Sequence, residues 1–264
     1  MTLIRRILKH RLDLWEVLLL FGLAAAIVYP LTRPPAGTVT DLEIRAFAGR
    51  YGPDKQTEHE EEWLIRDFFQ DSRGGFFVDI GANHHQQLSK TWYLESQLGW
   101  SGIAVDANKD FAAGYASHRP RTRYFTFFVS DRSDEAAQLF VISRNTTVAS
   151  GHKDFVSLFG TPDRVDSVPT ITLDDLLAAE KVEKLDFLTI DIELHEPEAL
   201  RGFDIARHRP RLVCIEALLP VRQAILDYFT RRGYVVEGRY LRADRENLYF
   251  RPLDAVPQGS QATP

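Results

Sequence analysis

Four times in the middle of this chain a short apolar run carries or ends on an acid. Phe76-Phe-Val-Asp-Ile80 lies between Gly74-Gly75 and Gly81, and Gly102-Ile-Ala-Val-Asp106 follows it. A third run over residues 123–129 leads into Ser130-Asp131, and Leu185-Asp-Phe-Leu-Thr-Ile-Asp191 is the fourth. Runs this short and this uniformly apolar predict strands covered on both faces. Helical patterning separates them: residues 58–69 place apolar side chains at 63, 64, 68 and 69, residues 88–98 close on Gly99, and residues 221–232 close on Gly233. Strand and helix in alternation restrict the chain to an α/β fold with a mainly parallel sheet. A fifth strand is expected at 211–216. Two more, near 234–240 and 247–251, stand too close together for a crossover helix and are expected to be antiparallel.

The ends of the chain are of another kind. Arg5, Arg6, Lys9 and Arg11 precede a stretch that is uncharged from Val17 to Tyr29. As a helix, residues 12–31 would reach about 30 Å, the thickness of a bilayer's hydrocarbon core. Trp15 and Tyr29 fall where interfacial aromatics are expected. Residues 1–33 therefore read as a basic segment and single-pass membrane anchor, with a cleaved signal peptide and a helix packed on the domain as alternatives. Residues 34–45 read as a linker, 46–252 as one domain, and 253–264 as a disordered tail. The anchor's flanking charges are nearly balanced, with Arg33, Arg45 and Arg50 on the far side, and the domain is expected on the cytoplasmic face.

Of the 264 residues, 32 are basic and 37 acidic, giving a net charge of −5 without a long basic run, so no nucleic-acid partner is expected. Cys214 is the only cysteine, which excludes an intrachain disulfide and a cysteine-built zinc site.

The acids at the strand ends bear on function. Ligands of open α/β sheets bind outside the carboxyl ends of the strands, where Asp79, Gly81, Asn83, Asp106, Asp131 and Asp191 would converge. Asp also begins turns and caps helices, so each is weak alone. Together they point to a cofactor containing adenosine. Gly81-Ala-Asn-His-His offers one glycine where a dinucleotide site needs three, and no P-loop sequence occurs.

From about residue 55 to 240 the chain resembles the FkbM-type methyltransferases. The likeness rests on Phe77-Val-Asp-Ile-Gly-Ala-Asn83, Leu98-Gly-Trp-Ser-Gly-Ile-Ala-Val-Asp106, Val168-Pro-Thr-Ile-Thr-Leu-Asp-Asp-Leu176, Asp186-Phe-Leu-Thr-Ile-Asp-Ile-Glu-Leu-His-Glu196 and Gly233-Tyr234. The resemblance implies a Rossmann-like class I methyltransferase fold, a seven-stranded and mainly parallel sheet with an antiparallel closing strand, and S-adenosylmethionine as cofactor. It also implies that Asp79, Gly81 and Asn83 line the cofactor's methionine, Asp106 its ribose, and Asp131 the neighbourhood of its adenine. The chain departs from the family pattern at His84-His85, where a glycine usually follows the Asn. It departs again at Thr189 and Leu194, where the family usually has Lys and Gly.

Asp191-Ile-Glu-Leu-His-Glu-Pro197 is the densest polar cluster. His195 is the expected base, its ordinary pKa near 6.5 suiting neutral pH, with Asp191 and Glu193 orienting it or holding an acceptor hydroxyl. Glu216, at the end of the next strand, is a further candidate. Adjacent His84 and His85 do not make a metal site, and no metal is expected. The function expected is O-methylation of a saccharide, lipid-linked or secondary-metabolite acceptor. The alternative is a silent domain of the same fold acting in binding or trafficking, favoured if His84 and Leu194 block the pocket. The sequence leaves the oligomeric state open.

Overall fold

The structure, a computed structural model, describes residues 39–255. The expected anchor and nearly all of the expected tail lie outside the described residues. Among those described, no helix is long and apolar enough to cross a membrane. The described residues fall into two units, 39–46 and 47–255. Part of the expected linker is helical, because α1 spans Val39–Tyr51. Asp41 in its first turn and Arg50 in its last complement the helix dipole, and Arg45 pairs with Asp41 at 3.0 Å.

The second unit is built on a seven-stranded sheet. After α2 (Glu61–Phe69) come β1 (Phe76–Ile80), α3 (Trp92–Ser96), β2 (Ser101–Asp106), α4 (Ala112–His118) and β3 (Thr122–Thr126). Next are β4 (Phe128–Val129), β5 (Ala136–Ile142), β6 (Asn145–Ser150), α5 (Lys153–Val156), β7 (Arg164–Ile171) and α6 (Leu173–Ala179). The chain ends through β8 (Phe187–Ile190), α7 (Glu196–Arg201), α8 (Ile205–His208), β9 (Leu212–Glu216), α9 (Leu219–Arg231), β10 (Tyr234–Val236) and β11 (Asn247–Pro252). The large sheet runs β10-β11-β9-β8-β1-β2-β3. Its β9-β8-β1-β2-β3 part is parallel, while β11 lies antiparallel between β9 and β10, as expected for the closing pair.

Period-two alternation divides the core between the sheet's faces. Val78, Ile80, Leu188, Ile190, Val213 and Ile215 pack with Leu173, Leu176, Ile225 and Phe229 of α6 and α9. Phe77, Phe187, Leu212 and Cys214 pack with Leu64, Ile65 and Phe69 of α2 and with Trp100. Because strand order reverses between β1 and β8, the loops after these two strands frame the crevice in which such sheets hold ligands.

The expected third strand, 123–129, is two strands in different sheets. β3 ends at Thr126, and β4 belongs to a four-stranded sheet, β4-β7-β5-β6, that the sequence reading missed. The β5–β6 pair closes with Ile142 opposite Asn145, leaving Ser143-Arg144 as the turn, with none of the glycine that usually signals a hairpin. β7 carries Pro169, which argues against a strand on propensity. The helix expected over 88–98 is only Trp92–Ser96.

Candidate functional site

Gly81 joins the two loops. Its φ is +81°, and a Cβ there would lie 1.7 Å from the carbonyl oxygen of Asp191. Only glycine admits this backbone conformation and this approach without strain. The N–H groups of Gly81 and Ala82 both donate to the Val105 carbonyl, at 2.9 and 3.1 Å, fixing the β1 loop against β2. Asn83 follows in the left-handed region at φ +49°.

Asp106 accepts from two backbone N–H groups, Asn83 at 2.8 Å and Asn108 at 2.7 Å. Each carboxylate oxygen keeps a further lone pair for a ligand donor. Burial, opposed by these donors, pushes its carboxyl up to about 6. Asp79 is buried on the face turned toward α2, where the Thr91 hydroxyl donates to it at 2.7 Å. Burial raises this carboxyl too.

The loop after β8 differs in character. The extended form ends at Ile190, and Glu193 and Leu194 take φ of +56° and +76°. Leu194 thus occupies a conformation that glycine adopts freely, which accounts for glycine being usual there in the family. Asp191 receives the ammonium of Lys90 at 2.5 Å. Burial would lower that ammonium, but Asp191 holds it well above its ordinary range. Glu196 is fully buried and accepts the Ile192 N–H at 3.0 Å. Burial and mutual repulsion raise the carboxyls of Glu193 and Glu216.

His195 lies at the N-terminal end of α7. Its Nε2 is 3.1 Å from the Ser130 hydroxyl, its Nδ1 is 3.9 Å from Glu198, and its ring meets the Phe128 ring edge-on at 4.8 Å. Burial lowers its pKa, so the ring is neutral at neutral pH. The expected partners Asp191 and Glu193 are not the groups that orient it. Asp191 is turned to Lys90, and Ser130 and Glu198 stand at the ring instead.

Two clefts meet at this point. The first, enclosing about 540 Å³, is lined by Gly81, Asn83, Asp106, Asp191, Glu193 and His195, with Phe127, Phe128 and Leu139 as its apolar wall. The second, of about 880 Å³, shares Gly81, Asn83, Asp191 and Glu193 and adds Asp79, Lys90, Glu216, His59, Glu246 and Asn247. Of the eight expected site residues, Asp131 is the one that lines neither cleft. It is exposed and turns to Arg201 at 3.4 Å. Asp131 follows β4, a strand of the smaller sheet, rather than a strand of the large one.

His84 and His85 line neither cleft. The His85 ring stacks on His118 with centroids 4.4 Å apart and meets the tilted His84 ring at 4.0 Å, and Gly114 leaves room for the His85 ring. Leu194 is likewise absent from both linings. Lys90, missed in the sequence, lies in a segment read for its apolar spacing. It supplies an ammonium to Asp191 in a chain that has Thr189 where the family usually has lysine.

The sequence profile of the Methyltransferase FkbM domain matches residues 79–236, more than half of the chain. The chain belongs to the FkbM methyltransferase family. S-adenosylmethionine is therefore the cofactor of this FkbM methyltransferase. The residues fit it: Gly81 leaves a gap that a Cβ would close, Asp106 retains acceptor capacity for ribose hydroxyls, and Phe127 and Phe128 offer an apolar wall.

No curated protein matches. A TehB-like S-adenosylmethionine-dependent methyltransferase from Corynebacterium glutamicum is similar at 15% identity and TM-score 0.42, the match covering 80% of this chain and 98% of that one. A putative RNA methyltransferase from Pyrococcus horikoshii is similar at 14% identity and TM-score 0.37, covering 81% and 98%. Precorrin-6y C5,15-methyltransferase from Geobacter metallireducens is similar at 10% identity and TM-score 0.39, covering 75% and 89%.

Proposed function

We propose that this methyltransferase acts on a hydroxyl oxygen of a saccharide, lipid-linked or secondary-metabolite acceptor. The observation that carries this reading is His195, a half-buried and neutral imidazole in the same cleft as Asp106 and Gly81. An alcohol must lose its proton as its oxygen is methylated, and a neutral imidazole with a depressed pKa accepts a proton without first having to lose one.

When bound, the cofactor supplies a methyl group made electrophilic by a sulfonium. The chain's residues do the rest. Asp106 would hold the ribose, and Gly81 and Asn83 would border the methionine end. Asp191, fixed by Lys90, and Glu193 border the reacting side. His195 takes the hydroxyl proton, with Ser130 setting the ring's orientation. Alignment of the two reacting atoms is the larger contribution. The second cleft, with Glu58, His59, Glu61 and Asn247 along it, offers the hydrogen-bonding partners that a polyol needs.

The alternative of a silent domain rested on His84 and Leu194 closing the pocket, and both lie outside its lining. Residues 12–31 are proposed as a single-pass anchor holding the domain on the cytoplasmic face, which would place the acceptor at or near a membrane.

The test is transfer of radiolabelled methyl from the cofactor into an extract of the native membranes and cytoplasm. Label that resists alkaline hydrolysis and sits on oxygen supports an ether product. Label lost to alkali as methanol, or found on nitrogen, overturns O-methylation of a hydroxyl.

A further inference from the structure

The end of β9 holds an acid that nothing in the proposed methyl transfer uses. Glu216 is only 9% exposed, and its Oε2 is buried without a hydrogen-bond partner. A buried acceptor left unpaired is costly, and a carboxylate more so than a neutral group. Across from it stand Asp191 and Glu193. One oxygen from each of the three carboxylates lies within 4.8 Å of the other two. Among the described residues, Lys90 is the one lysine lining the second cleft, and its ammonium is bound to Asp191.

We propose that Asp191, Glu193 and Glu216 bind a hard divalent cation, magnesium or manganese. Oxygens on opposite sides of such an ion stand twice the metal–oxygen bond apart, about 4.2 Å for magnesium and up to about 5 Å for the larger calcium. Neighbouring oxygens on the same ion stand about 3 Å apart, so three oxygens already within 4.8 Å of one another are brought to coordinating positions by side-chain rotation. The donor set is all oxygen, with no imidazole or thiolate, which selects magnesium and manganese over zinc or copper. With all three carboxyls ionised, they and the one ammonium leave two negative charges, the complement of a divalent ion. This departs from the expectation, drawn from the sequence, of no metal.

The ion would lie where the two clefts join, beside Gly81 and across from His195. In the reaction it would hold the acceptor oxygen and favour its deprotonated form as His195 takes the proton. This part rests on the methyl-transfer reading, whereas cation binding does not, and the two are measured separately.

Manganese titrated into the full-length protein without cofactor, followed by the loss of the free-ion electron paramagnetic resonance signal, reads the site directly. One bound manganese per chain, displaced by magnesium, is expected. Glu216→Gln and Glu193→Gln should each weaken it about tenfold or more. Circular dichroism shows that each variant is folded, and if one fails to fold the other carries the test. Absence of manganese binding at millimolar concentration overturns the proposal. Unchanged affinity in both folded variants also overturns it. Calorimetry with S-adenosylmethionine then separates the two readings: cofactor bound without manganese sinks the cation site alone, and manganese bound without cofactor sinks the methyl-transfer reading alone.

Discussion

The loops after β1 and β8 face each other across Gly81, yet they balance their acids in opposite ways. In the β1 loop and its neighbours each acid has its own donors: Asp106 takes two backbone N–H groups, and Asp79 takes the Thr91 hydroxyl. Around the β8 loop, backbone N–H groups serve Glu196 alone, and Asp191, Glu193 and Glu216 share one lysine. The first side is complete and rigid, ready for neutral hydroxyls. The second is short of positive charge and gains from a cation. Site chemistry is thus divided between a finished cradle and an unbalanced rim, and substitutions on the two sides should separate in kinetics.

The largest effect is expected at His195. His195→Ala should lower kcat by about a hundred- to ten-thousandfold while cofactor affinity stays within a few fold. Turnover that survives this change and disappears in Asp191→Asn would move the base to the carboxylate. Gly81→Ala attacks the joint between the loops. The left-handed backbone alone costs about 1–3 kcal/mol, and the approach to the Asp191 carbonyl adds to that. A lowered unfolding midpoint and weakened cofactor binding are expected together, and an unchanged midpoint would show that the loops are not rigidly joined.

On the cradle side, Asp106→Ala should weaken S-adenosylmethionine about ten- to a hundredfold by calorimetry, with a smaller effect on kcat. The ionised carboxylate is the form that accepts ribose hydroxyls, so wild-type affinity should fall below pH about 6, where Asp106 protonates. The variant should lack that dependence, and a matching slope in the variant would assign it elsewhere.

The smallest effect lies at the far end of the rim. The hydrogen bond to Glu246 raises His59 to about 9. Its folded pKa exceeds its unfolded value, so its stabilisation is full below about 6.5 and is lost as pH rises through about 9. Both side chains are exposed, so the loss is modest. Thermal melts of Glu246→Gln should show a flatter pH dependence across that window, and an identical profile would remove the pair from the ledger of rim charges.

The parallel sheet was legible because uniformly apolar runs and their glycine stops depend only on local pattern. Seven of the eight expected site residues line the clefts because they follow or end such strands. Asp131 escaped because β4 leaves the main sheet, a decision made by pairing with β7 some forty residues away. Lys90 was missed for the same reason, and Ser130 was read only as a strand end, since their partners Asp191 and His195 are distant in sequence. Leu194 showed itself only as a departure from the family pattern, and its positive φ supplies the physical cause.

The small sheet leaves and rejoins the main chain at nearly one point: Ser130 N–H donates to the Ile171 carbonyl at 3.0 Å, and Asp134 N–H to Thr170 at 3.2 Å. Such a narrow neck means that residues 135–169 can lengthen, shorten or be exchanged at little cost in loop closure, leaving the parallel strands undisturbed. Thr146, Thr147 and Ser150 of β6 nonetheless reach the first cleft. Selection can therefore rewrite one wall of the binding site as a cassette, and grafting it between relatives while keeping Leu139, Ser150 and Arg164, which touch the cofactor cleft, Glu193 and the loop after β2, offers a route to altered acceptor preference.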